Sequence, residues 1–222
     1  MLRTLPVAAL LALASAASLA QAQTGGLLYQ TNFEDGFLDW HWTGNSHLQL
    51  DGTTFSTFNG YQSGTAIDFL QHEAVTASPL PPGSWARYTL TFDFYAFDSW
   101  QGTAGGDRFL ISCNGATIFN ESFSNNGAQP QSFRAPDRLG VLGGRTSYTD
   151  SIYRNIALTF DLPNSAADAN MRFRFYDSGS LGGLNTASWG LDYVRLSWTT
   201  VPAPATLGAL GLGLMLSGRR KR

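Results

Sequence analysis

One cysteine, Cys113, stands among 222 residues, so a disulfide within the chain is excluded and stability must come from a packed core or a bound metal. Its setting, Arg108-Phe-Leu-Ile-Ser-Cys-Asn-Gly115, reads as a strand running into an Asn-Gly turn, which predicts a buried, inert thiol. Charge is scarce too: Asp, Glu, Lys and Arg make up 14% of the chain, and its one lysine is Lys221. Five of the 14 basic residues (Arg3, Arg219, Arg220, Lys221, Arg222) lie at the termini, whereas all 16 acidic residues fall between Glu34 and Asp192. The middle of the chain therefore sets nine arginines against 16 acids, a net charge of −7. Such a surface disfavours nucleic acid and anionic lipid, and suits cations or neutral glycans.

The motifs of familiar active sites are missing as well. His41, His47 and His72 lack the i, i+4 spacing and the glutamate of a zinc helix, and no cysteine cluster accompanies them. There is no Gly-x-Ser-x-Gly elbow, and the glycine-rich fragments at 139–144 and 181–184 lack the helix and lysine of a phosphate cradle. No residue set has the logic of nucleophile, base and orienter, so a non-catalytic protein is expected.

What the chain has in quantity is 24 glycines and 13% aromatic residues, a balance of turn-rich antiparallel β structure. Strands are expected at Leu27–Phe33, His47–Leu50, Thr65–Phe69, Trp85–Ala96, Asp107–Cys113, Ala116–Glu121, Ser151–Asp161, Met171–Tyr176 and Trp189–Trp198. Two alternate cleanly: Leu90, Phe92 and Phe94 oppose Thr89, Thr91 and Asp93, and Met171, Phe173 and Phe175 oppose Arg172 and Arg174. Strands with one apolar face need a second sheet to cover it. The expected fold is all-β, a two-sheet antiparallel β-sandwich of the jelly-roll kind, as one domain over residues 23–200.

The two ends read as addresses. Arg3, the apolar Leu5–Leu19 and the small-x-small Ala20-Gln21-Ala22 make residues 1–22 a signal peptide, with the mature chain starting near Gln23. Residues 201–222 run Val-Pro-Ala-Pro-Ala-Thr-Leu, then Gly-Leu-Gly-Leu, then Arg219, Arg220, Lys221 and Arg222. The apolar part is well short of the ~20 residues of a comfortable span, with a basic end to snorkel. This tail, through Pro202, Pro204 and the basic cluster, resembles the PEP-CTERM sorting signal; Ala203 stands where that family usually has glutamate. The resemblance implies an exosortase-type processing partner and a transient hold in the inner membrane. Release to the cell surface or extracellular matrix of an exopolysaccharide-making Gram-negative bacterium would follow.

Thr31-Asn-Phe-Glu-Asp-Gly-Phe-Leu-Asp-Trp40 and Ser188-Trp-Gly-Leu-Asp-Tyr-Val-Arg-Leu196 are similar to the first and last strands of jelly-roll carbohydrate-binding modules and related lectin-like sandwiches. That resemblance implies a structural Ca2+ held by Glu34 and Asp192. The residues alone leave a second reading open, with Glu34 in a turn and Asp192 simply hydrogen-bonded. A Gly-rich loop bearing Asp98, Trp100 and Asp107, together with Ser188-Trp189-Gly190, is expected at one end of the sandwich, where such folds carry binding groups. Trp100 or Trp189 would stack on a sugar while Asp98 or Asp107 accepts hydroxyls; the alternative is that the tryptophans plug the core. The expected function is binding of extracellular polysaccharide at the cell surface, with a structural or adhesive role and a small glycan lyase or hydrolase as alternatives.

Overall fold

A computed structural model describes residues 25–35, 41–44, 48–50, 54–71, 84–127, 129–142, 148–163, 171–179 and 186–201. The expected cleavage residues Ala20 and Ala22, and the expected sorting residues Pro202, Pro204, Arg219, Arg220, Lys221 and Arg222, lie outside them.

Two antiparallel sheets form a sandwich, as the alternating strands require. One sheet has the order β3 (Leu48–Leu50), β4 (Thr57–Gln62), β12 (Ala187–Val201), β6 (Trp85–Asp98), β10 (Asp150–Pro163), β9 (Arg138–Gly140), with β1 (Gly25–Thr31) also on β12. The other is β2 (Trp42–Gly44), β5 (Ala66–Gln71), β11 (Met171–Ser178), β7 (Arg108–Cys113), β8 (Ala116–Ser122). From β4 to β7, and again from β10 to β12, the chain changes sheet at every step, the crossover pattern of a jelly roll. One four-residue helix, α1 (Gly102–Gly105), interrupts the β6–β7 connection. Among the described residues no helix is long and apolar enough to cross a membrane.

All nine expected strands are present, and the two alternating ones face as their pattern requires. Leu90, Phe92, Phe94, Met171, Phe173 and Phe175 join the core between the sheets, while Arg172 and Arg174 point to solvent. Cys113 lies in the same core, where burial pushes its thiol up to about 12, so it stays protonated and unreactive.

A second, smaller core covers the outer face of the larger sheet, built from Phe55, Phe58, Tyr61, Tyr95, Phe97, Leu142 and Ile152. It explains why β4 escapes a reading by periodicity: Phe58 to Gln62 are buried on both faces, and Asn59-Gly60 inside the strand mimics a turn. Gly60 pairs with Gly190 of β12, and Phe58 lies across that pair; a Cβ on Gly190 would sit 2.6 Å from Phe58 Cδ2.

Candidate functional site

At one end of the sandwich the outgoing end of β6 meets the loops around it in an open cleft of about 660 Å3. The framework is a set of side chains that tie backbone to backbone. Asn125 donates through Nδ2 to Ala96 O (3.0 Å) and Asp98 O (2.6 Å), and its Oδ1 accepts from Ser151 Oγ. The Asp150 carboxylate accepts from Asp98 N (3.1 Å) and Leu142 N (3.2 Å). These ties hold Asp98 at a φ of 66°, a conformation that a non-glycine residue adopts only under such constraint. Trp100 donates through Nε1 to Ser188 O (2.8 Å) and stands edge-on to Phe94 at 5.7 Å. Gly102, at φ +64°, lets the loop close on Pro130, since a Cβ there would lie 2.2 Å from Pro130 O.

The four residues expected to bind a sugar are therefore framework. Asp98 and Trp100 do reach the cleft, but each is only 1% exposed, and Trp189 is wholly buried with its ring 5.0 Å from that of Phe109. Neither tryptophan offers a face for stacking; the core-plug alternative describes both. Asp107 is buried too and accepts from Gln101 N (2.8 Å) through Oδ2, so it fixes the loop rather than lining the cleft. The exposed lining comes from residues that sequence reasoning passed over: Gln101, Asn126, Tyr148 and Leu139, with half-buried Gln129 and Thr149 beside them. The polar run Ser124-Asn-Asn-Gly127 carried a loop signal, but nothing marked it as facing Tyr148. Side-chain amides and hydroxyls beside an aromatic ring and an aliphatic one are a lining for a neutral, hydroxyl-rich ligand.

The expected calcium pair does not form a cation cradle. Asp192 Oδ2 accepts from Ser56 Oγ (2.6 Å) and Tyr95 OH (2.9 Å), and Oδ1 accepts from Tyr193 N (2.8 Å). Three protein donors thus engage both oxygens, the hydrogen-bonded alternative for Asp192. Glu34 is an exposed turn residue whose N–H bonds Asn32 Oδ1 (3.3 Å). Among the described residues no group of three or more His, Cys, Asp or Glu is placed to hold a metal.

Burial outweighs the three donors and pushes the Asp192 carboxyl up to about 6. A carboxyl raised above its unfolded value of about 3.9 favours folding below that value and loses the effect as pH rises through about 6. Wild type should therefore gain thermal stability relative to Asp192→Asn between pH 7 and pH 5. A melting-temperature difference that stays flat across that range would contradict this account. Burial shifts Asp107 upward as well, and taking the difference between the two proteins removes its share, whereas Asp93, also shifted upward by burial, is coupled to Asp192 and contributes to the difference.

A second groove, of about 490 Å3, crosses the outer face of the smaller sheet and is lined by Ser112, Gly115, Arg172, Arg174 and Tyr176. Arg172 pairs with Asp68, and Arg174 Nε stands 3.9 Å from the same carboxylate. Two guanidiniums share one acid there, so this groove is locally basic on an acidic domain.

No family model matches the chain, and no curated protein matches its sequence. Solved structures with a similar chain course include dimeric latent PorU from Porphyromonas gingivalis, at 13% identity and a TM-score of 0.42. Also similar are a cycloisomaltooligosaccharide glucanotransferase from Paenibacillus sp. complexed with cycloisomaltoheptaose, at 13% identity and a TM-score of 0.33, and the CBM35 from Cellvibrio japonicus Abf62, at 14% and 0.34. They cover 80%, 75% and 79% of this chain. In turn, this chain spans 13% of the first of those structures, 18% of the second and 92% of the third. Likeness at this level carries nothing about ligand or activity.

Proposed function

We propose that this chain is an exported, non-catalytic surface or matrix protein that binds a neutral stretch of extracellular polysaccharide in the cleft beside β6. The observation that carries this reading is the cleft lining, in which Tyr148 and Leu139 stand exposed among the amides of Gln101, Asn126 and Gln129. A hydroxyl-rich ring can stack on one side and hydrogen-bond on the other. Delivery rests on the signal-peptide layout of residues 1–22 and the sorting-tail layout of residues 201–222, processed by an exosortase-type partner at the inner membrane. The excess of acids over arginines between those ends speaks against nucleic acid as partner.

Affinity electrophoresis in gels containing the producer's own exopolysaccharide tests the assignment. Tyr148→Ala should weaken retention by about tenfold, the loss of one stacking contact of roughly 1.4 kcal/mol. Gln101→Ala should weaken it less, and Arg174→Ala in the basic groove should leave it unchanged. Retention that survives Tyr148→Ala but falls with Arg174→Ala would move the ligand to the outer sheet face and make it acidic. A folded protein retained by no polysaccharide would leave the adhesive role as the surviving reading.

A further inference from the structure

Two carboxylates at the edge of the cleft loop, the buried Asp107 and the half-buried Asp177, have no counter-charge among the described residues. Asp107 immediately precedes β7, and Asp177 lies near the end of β11, opposite Phe109 in the β7–β11 register. Phe109 points into the core, so Asp177 shares its face, and so does Asp107 two residues before Phe109. The two acids are thus diagonal neighbours across one strand pair, within reach of each other's side chains. The strands are pinched together there: a Cβ on Gly179 would fall 2.5 Å from Gly106 O and 3.0 Å from Asp107 Cα.

Each acid uses one oxygen and leaves the other unmatched. Asp107 Oδ2 accepts from Gln101 N (2.8 Å), and Asp177 Oδ2 accepts from Gly64 N (2.8 Å). Asp107 Oδ1 and Asp177 Oδ1 are both buried atoms without a hydrogen-bond partner among the described residues. Asp107 is 2% exposed, so water does not serve it freely. A third orphan, the Oγ of half-buried Ser63 next to Gly64, is a buried atom without a partner among the described residues. No cation answers these oxygens: the neighbouring Arg108 turns its guanidinium onto Asn120, and neither acid joins an ion pair among the described residues.

Buried charge persists in folded proteins when it is paired or coordinates a metal. Carboxylate and hydroxyl oxygens left unmatched in this way are hard ligands. We propose that Asp107 and Asp177 form a calcium site that clamps the start of β7 to the end of β11, with Ser63 Oγ beside it and backbone carbonyls and water completing the shell. Magnesium fits less well, because it demands a tighter octahedron and sheds water reluctantly. Through the Gln101–Asp107 bond the ion also fixes the loop that floors the cleft. The site stands on its own observations and does not depend on a glycan ligand.

The test is thermal melting of the full protein after chelation, with Ca2+ or Mg2+ added back, on wild type, Asp177→Asn and Ser63→Ala, joined to terbium luminescence excited through tryptophan. At Ca2+ a hundredfold above its dissociation constant, wild type should melt about 5 °C or more higher than without it. Asp177→Asn should lose that shift, yet should melt no lower than wild type in the absence of metal, because it removes one of two repelling charges. Ser63→Ala should weaken terbium binding severalfold, and Mg2+ should do little. The proposal is overturned if Ca2+ leaves the wild-type melting temperature unchanged, or if wild type and Asp177→Asn shift equally, which would place any ion elsewhere. Unchanged binding of polysaccharide in either case would leave the cleft assignment intact.

Discussion

Trp189→Ala is expected to lower stability by about 3–5 kcal/mol, enough to leave a substantial unfolded fraction at room temperature if the protein has ordinary marginal stability. The ring is completely buried between the sheets, packed on Phe109, and the strand that carries it pairs with both β4 and β6. Trp189→Phe separates packing from polarity. The Nε1 of Trp189 is buried with no hydrogen-bond partner among the described residues, so phenylalanine removes an unmatched donor along with some volume, and the loss should be well below that of alanine. At Trp100 the same change should cost more, because its Nε1 donates to Ser188 O at 2.8 Å and phenylalanine would strand that carbonyl. Chemical denaturation of the three variants checks the order. Near-wild-type stability in Trp189→Ala would mean that the ring is exposed and that the core described here is misplaced.

The second large effect belongs to Asp150→Ala. The carboxylate is completely buried and accepts from two backbone amides, Asp98 N and Leu142 N, on separate segments. Alanine leaves both N–H groups buried and unmatched, at about 1–3 kcal/mol each, so a total loss of about 2–6 kcal/mol is expected. The same variant should bind polysaccharide more weakly even where it is still folded. Asp98, Leu139 and Gly140 all line the cleft, and Asp150 connects their backbone. Asp150→Asn keeps one acceptor and should lose about half as much. Denaturation midpoints and gel retention measured on the same preparations separate the two consequences. A stable Asp150→Ala protein with full retention would show that the carboxylate holds neither the fold nor the cleft.

The sandwich was legible in the sequence because its central strands carry simple patterns. Leu90-Thr-Phe-Asp-Phe94 and Met171-Arg-Phe-Arg-Phe175 each state one buried face, and two such faces need each other. What escaped were β2, β4 and β9. Trp42–Gly44 and Arg138–Gly140 are three residues long, too short to show any period, and Thr57–Gln62 is buried on both sides under the second core. The site was legible as a place but not as a list of groups. The loop from Asp98 to Asp107 does sit at the end of the sandwich, yet Asp98, Trp100, Asp107 and Trp189 turn inward. Composition cannot tell a tryptophan that covers a sugar from one that covers a core; that depends on which sheet face the preceding strand leaves open. The exposed lining comes from loops far apart in sequence, around Gln101, Asn126, Leu139 and Tyr148, and their meeting follows from sheet order. Glu34 and Asp192 sit at opposite ends of the chain in segments that resemble a calcium-binding pair. The donors that enclose Asp192, Ser56 and Tyr95, come from strands and loops that no local pattern connects to it.

The central claim, a neutral glycan in the cleft beside β6, is tested most directly by amide hydrogen exchange of the folded protein with and without oligosaccharides cut from the producer's exopolysaccharide. The account predicts added protection at 99–101, 125–127, 139–140 and 148–149, and none around Ser112, Arg172 and Arg174. Protection confined to that outer face, or none anywhere at saturating oligosaccharide, would contradict it.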